Sequence, residues 1–129
     1  MTKAYDIYKR ALSLMFEEEG DDGAFYDMFP HVLNMLLCEA LPYENSVRES
    51  CGERKIERMQ QISSMDDKVD MCDEICHIAL PYGVASYFSK DDGEASDAFM
   101  YRERFISALN EAAKYRFCEV IDVYGGDIE

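Results

Sequence analysis

Positive charge is scarce in this chain of 129 residues, where 13 Lys and Arg stand against 27 Asp and Glu for a formal net charge of −14. Such a surface repels a phosphate backbone instead of displacing its counterions, so tight binding to nucleic acid is not expected. Long apolar runs are missing too. The longest is interrupted by Asn34, Glu39 and Pro42, and nothing approaches the roughly 20 apolar residues that cross a bilayer. No membrane span is expected. The opening MTKAYDIYKR has neither the apolar run nor the small-residue cleavage site of a secretory signal, which predicts a cytoplasmic protein. A Gly-rich phosphate loop and a dinucleotide fingerprint are also absent. Gly20-Asp21-Asp22-Gly23 and Asp91-Asp92-Gly93-Glu94 miss the calcium-loop pattern and read as turns.

Histidine is rare, and this limits metal and nucleophile chemistry. Cys72-x3-Cys76-His77 is the most metal-like spacing, since residues four apart stack on one helix face. Structural zinc needs four ligands, however; no second paired knuckle exists, and Cys38, Cys51, Cys118 and His31 are isolated. Cys72 and Cys76 continue an apolar stripe with Ile75 and Ala79, so they read as small core residues. His77 points about 100° away from Cys76 around a helix, which separates a thiol from its base. Five cysteines without an export signal predict free thiols. Neighbouring carboxylates are expected by number alone among 27 acids. No catalytic, metal or cofactor-binding residue is therefore predicted, and the chain is not expected to be an enzyme.

What is present is helical periodicity. Ala4, Ile7, Tyr8, Ala11, Leu12 and Met15 form the stripe of a helix over about Lys3 to Glu18, stopped by Gly20. A denser stripe from Phe25 to Leu41 predicts the central core helix, with a break near Phe29 imposed by Pro30 and an end at Pro42. Residues 43–64 lose the period and read as a long connection, a length that in a small domain usually carries function. Ser64-Met65-Asp66-Asp67 fits a capping box, predicting a helix from Met65 that Pro81 kinks or divides. Asp91 and Glu94 cap a long last helix whose buried side includes Ala95, Ala98, Phe99, Phe105, Ile106, Leu109, Ala112 and Ala113. Val120, Ile121, Val123 and Tyr124 are β-prone and read as an extended tail. The expectation is a mainly α bundle of about four to five helices over 1–117, followed by a tail at 118–129.

Several segments occur in a familiar order: YDIYKRALSLM, FPHVLNMLLCEALPY, ISSMDDKVDM, and ALPYGVASYFSKDDGEASDAFMYRERFISAL. Leu80-Pro81-Tyr82-Gly83-Val84-Ala85-Ser86-Tyr87-Phe88 carries the likeness best. It is followed by the acidic turn and a helix with Tyr101, Arg102 and Phe105. From about Tyr5 to Leu109 the chain resembles the head-tail connector proteins of tailed bacteriophages and prophages, adaptors that complete the head beneath the portal. The resemblance implies a structural virion-assembly protein made in the host bacterial cytoplasm and built into the virion neck. The portal protein and other head-tail or tail-completion proteins would be its partners, in a homo-oligomeric ring. An acidic lumen suits a ring through which DNA slides. Ile56, Met59 and Ile62 in the connection, and Val120, Ile121, Val123 and Tyr124 in the tail, are the candidate protein contacts. The alternative is an unrelated acidic helical interaction or regulatory protein, such as an inhibitor that mimics DNA.

Overall fold

The computed structural model describes residues 1–16 and 23–115, so the expected tail and the boundary before it lie outside the described residues. Thr2–Lys3 form strand β1, Ala4–Leu14 helix α1, Gly23–Ser50 helix α2 and Lys68–Val69 strand β2. A π-helical turn at Ile75–Ala79 leads into α3, Leu80–Asp91, and α4 spans Ala95–Tyr115. The protein is mainly α. Its two strands pair antiparallel, with Thr2 opposite Val69 and Lys3 opposite Lys68.

Helix α1 buries the stripe that its period predicts, Ala4, Ile7, Tyr8, Ala11 and Leu12. Its N-cap residue, Lys3, makes no side-chain capping hydrogen bond. The first-turn amides of Ala4 and Tyr5 donate to the carbonyls of Asp67 (2.8 Å) and Met65 (2.9 Å), so a distant segment satisfies them. The helix ends at Leu14, before the expected Glu18, and Phe16 takes a left-handed φ of 61°.

Helix α2 corrects the expected break near Phe29 and the expected end at Pro42, because it runs through both prolines to Ser50. An internal proline removes one helical hydrogen bond and costs about 3 kcal/mol. The helix also buries Phe25, Phe29, Val32, Leu33, Leu36, Leu37 and Val47. At about 1.5–3 kcal/mol for each large apolar side chain, that burial outweighs both prolines. The irregular connection therefore starts at Cys51, and Tyr43 to Ser50 are helical.

No helix begins at Met65. Ser64 and Asp67 instead close a turn: the Ser64 hydroxyl accepts from the Asp66 amide (3.1 Å), and the Asp67 carboxylate accepts from the amides of Ser63 (2.9 Å) and Ser64 (3.1 Å). The same side-chain chemistry serves caps and turns alike, and here the turn feeds β2. Helical structure resumes at Asp73. Pro81 is accommodated by the π-helical turn before it, where the Leu80 amide reaches back to the Ile75 carbonyl. This wider turn takes up the strain expected to kink or divide the segment.

The central helix is α3, not α2. Helices α1, α2 and α4 all pack on it, and Leu80, Pro81, Gly83, Val84, Ala85, Ser86, Phe88 and Ser89 are buried. Gly83 lets the helices close: a Cβ there would lie 2.8 Å from Leu36 of α2 and 3.0 Å from Phe105 of α4. Gly93, with φ of 82°, turns the chain from α3 into α4. Glu94 rather than Asp91 stands at the start of α4, its carbonyl accepting from the Ala98 amide (2.9 Å). Tyr101, Phe105, Leu109 and Ala112 face the core. Ala95 is exposed, and Phe99, expected inside, is 66% exposed.

Candidate protein-docking surfaces

The connection after α2 is held against the bundle by side-chain amides. Asn45 accepts from the Ile56 amide (2.7 Å) and donates to the Ile56 carbonyl (3.0 Å). Asn34 does the same with Ile62, at 2.7 and 3.0 Å. Gln60 joins the Lys68 carbonyl (2.9 Å) and the Asp70 amide (2.8 Å). Each amide has the donor and acceptor of a strand neighbour, so an irregular segment is fixed without a sheet. The only signal of this in the sequence was asparagine, a poor helix former, placed within the α2 stripe.

A second anchor is ionic. Glu44, only 3% exposed, accepts from Arg48 Nε (2.7 Å) and from the Cys72 amide (2.9 Å). Arg48 reaches on to the Arg54 carbonyl (3.3 Å) and the Asp70 carboxylate (3.0 Å). Burial works against the Arg48 charge, but the Glu44 hydrogen bond and the two carboxylates outweigh it and raise its pKa.

The structure separates the predicted contact residues. Ile56 and Met59 are half-buried and line a shallow pocket of about 220 Å³ with Met1, Arg58, Gln60, Lys68 and Asp70. Ile62 is 3% exposed and belongs to the core. Val120, Ile121, Val123 and Tyr124 lie outside the described residues.

Cys72, Cys76 and His77 turn to different partners. Cys76 is fully buried and its thiol donates to the Met71 carbonyl (3.5 Å), while His77 is hydrogen-bonded to the Thr2 hydroxyl (2.9 Å). Burial pushes both thiols up to about 12. No group of three or more His, Cys, Asp and Glu among the described residues is placed to hold a metal ion. Cys51 corrects the expectation of thiols throughout, since it is disulfide-bonded; Cys38, Cys72 and Cys76 are free. The 8% exposure of Cys51 does not distinguish a thiol from a disulfide in the sequence pattern, because both bury readily.

Two residues near the start of α4 tie it to its neighbours. The Tyr101 hydroxyl donates to the Leu14 carbonyl (2.9 Å) at the end of α1. Arg102 makes a two-armed ion pair with Glu39 of α2, a hydrogen bond that raises its pKa, and its guanidinium lies 5.2 Å from the Phe105 ring centre. One turn ahead of them the helix is uncovered, with Phe99 66% and Met100 38% exposed beside exposed Asp91, Asp92, Glu94 and Asp97.

A groove of about 620 Å³ lies between α1 and the start of α3, lined by Asp6, Lys9, Arg10, Ser13, Leu14, His77, Ile78, Pro81 and Tyr82. Neither it nor the 52%-exposed Ile78 on its wall was foreseen, because the groove needs α1 and α3 side by side. Among the described residues no helix is long and apolar enough to cross a membrane. No protein-family model matches the chain, and neither does a curated protein or a solved structure.

Proposed function

We propose that this chain is a structural assembly protein of the head-tail connector kind, which docks beneath a phage or prophage portal and catalyses no reaction. One observation carries the reading: the segment with the strongest likeness to connectors is the segment on which the fold is organised. Leu80 to Phe88 form the central helix. Gly83 admits Leu36 and Phe105 at close range, and Tyr101 and Arg102 fasten α4 to α1 and α2. A pattern that specifies packing rather than a reaction centre fits a protein whose work is to present surfaces. The acidity supports the same reading, since a net charge of −14 keeps DNA sliding past a neck from adhering.

The test is recruitment. Purified portal rings encoded in the same gene cluster are mixed with the chain and separated by size. Co-migration with the ring is expected; a chain that stays in the small fraction at every concentration, with no portal or capsid gene beside its own, refutes the proposal.

A further inference from the structure

The groove between α1 and α3 has the charge opposite to that of the molecule as a whole. Its charged rim is Lys9 and Arg10 against Asp6, and neither cation makes an ion pair with a described residue. Lys9 sits 5.4 Å above the Tyr5 ring instead. The apolar wall is Leu14, Ile78, Pro81 and Tyr82. An occupant that fits would carry negative charge and an exposed apolar side chain together.

The turn from α3 and the start of α4 together have both. Asp91 at the end of α3, Asp92 and Glu94 in the turn, and Asp97 in the first turn of α4 are exposed, form no ion pair with a described residue, and lead up to exposed Phe99 and Met100. It cannot fill the groove of its own chain. Tyr101 reaches Leu14 at the groove's end, and residues 99 and 101 point about 200° apart on a helix. Phe99 instead borders a separate pocket with Ser86, Tyr87, Lys90, Ala98 and Arg102.

The geometry points to a second copy of this chain as the occupant: the acidic, apolar start of α4 on one copy enters the Lys9–Arg10 groove of the next. The contact is heterologous, two different patches meeting, so each copy keeps one free groove and one free α4 end and assembly continues by repetition. Opposite charges at this one contact offset the general repulsion between acidic copies. It deepens the assembly reading above, on which its biological setting rests, but it is measured with the chain alone, so failure of portal recruitment and failure of this contact are read separately.

Sedimentation velocity of the full chain tests it. Concentration-dependent association is expected at low salt, weakened at least about tenfold by high salt because the contact is ionic at its rim. Arg10→Glu removes the acceptor and Phe99→Ser the donor, and each variant alone is expected to be monomeric. Mixed one to one they should give a dimer that grows no further, since one intact groove meets one intact α4 end. Circular dichroism checks folding, with Lys9→Glu and Met100→Ser as second variants of each patch. A parent monomeric at every concentration and salt overturns the proposal, as does association that survives both variants or a mixture that stays monomeric.

Discussion

Replacing Gly83 by alanine tests whether the three central helices are as closely fitted as described. In an open helix the change would add stability of about 1 kcal/mol through helix propensity. Here the new methyl would lie 2.8 Å and 3.1 Å from the two δ carbons of Leu36 and 3.0 Å from Phe105 Cδ1, and both side chains are fully buried. Overpacking of this kind costs roughly 1–3 kcal/mol. The clash wins, and a net loss of up to about 2 kcal/mol is expected from urea unfolding, with an unchanged denaturant slope. A second background separates the clash from other causes. Leu36→Ala alone should cost about 2–5 kcal/mol. Adding Gly83→Ala to it should be much less harmful, or favourable, with a coupling of about 1–2 kcal/mol. Gly23→Ala, with nothing within 4 Å, serves as the uncrowded control. A Gly83→Ala protein more stable than the parent, or an effect identical in the two backgrounds, refutes the packing argument.

Tyr8 is fully buried against Tyr26, Phe29 and Phe88, and its hydroxyl has no hydrogen-bond partner among the described residues. Tyr8→Phe should therefore leave thermal stability unchanged or raise it by about 1 kcal/mol, whereas a clear loss would reveal a partner. Asn45→Ala and Asn34→Ala should speed amide exchange at Ile56 and Ile62 respectively, each leaving the other amide protected; unchanged rates would mean the side-chain clamps do not hold. Native protein at pH 8 should react with a thiol reagent at exposed Cys38 first, and slowly at Cys72 and Cys76, whose thiols burial holds at about 12. Equal rates at the three would contradict that burial. The Ser63 and Ser64 amides hold the Asp67 carboxyl below its ordinary value. Its contribution is therefore full above the usual carboxylate range near about 4 and lost as pH falls through the lowered value. Amide shifts of Ser63 and Ser64 should report that transition and lose it in Asp67→Asn.

The sequence disclosed the elements whose signal is local. The α1 stripe from Ala4 to Leu12 and the α4 core from Phe105 to Ala112 lie where the period puts them, since one buried face writes a 3.6-residue repeat. The misreadings arose where distant parts decide. Pro30 and Pro42 are local breakers, yet α2 passes through them because its apolar face is buried by other helices. Ser64 to Asp67 carry capping chemistry, and only pairing of β1 with β2 selects the turn over the helix. Phe99 shares a face with Ile106 rather than with Tyr101 and Phe105, about 200° from Tyr101 around α4, so it is exposed. Of the predicted contact residues, Ile56 and Met59 come together at one pocket, while Asn34 draws Ile62 into the core. The groove with Lys9, Arg10 and Ile78 depends on two helices distant in sequence, and no pattern along the chain marks it.

The central claim, that this chain is a connector beneath a portal, is tested most directly by imaging the neck of particles assembled from its own gene cluster. Electron cryomicroscopy should show a repeated four-helix density under the portal that accepts α1 to α4. Neck density fully accounted for by other chains, in particles from which this protein is absent by mass spectrometry, would contradict the account.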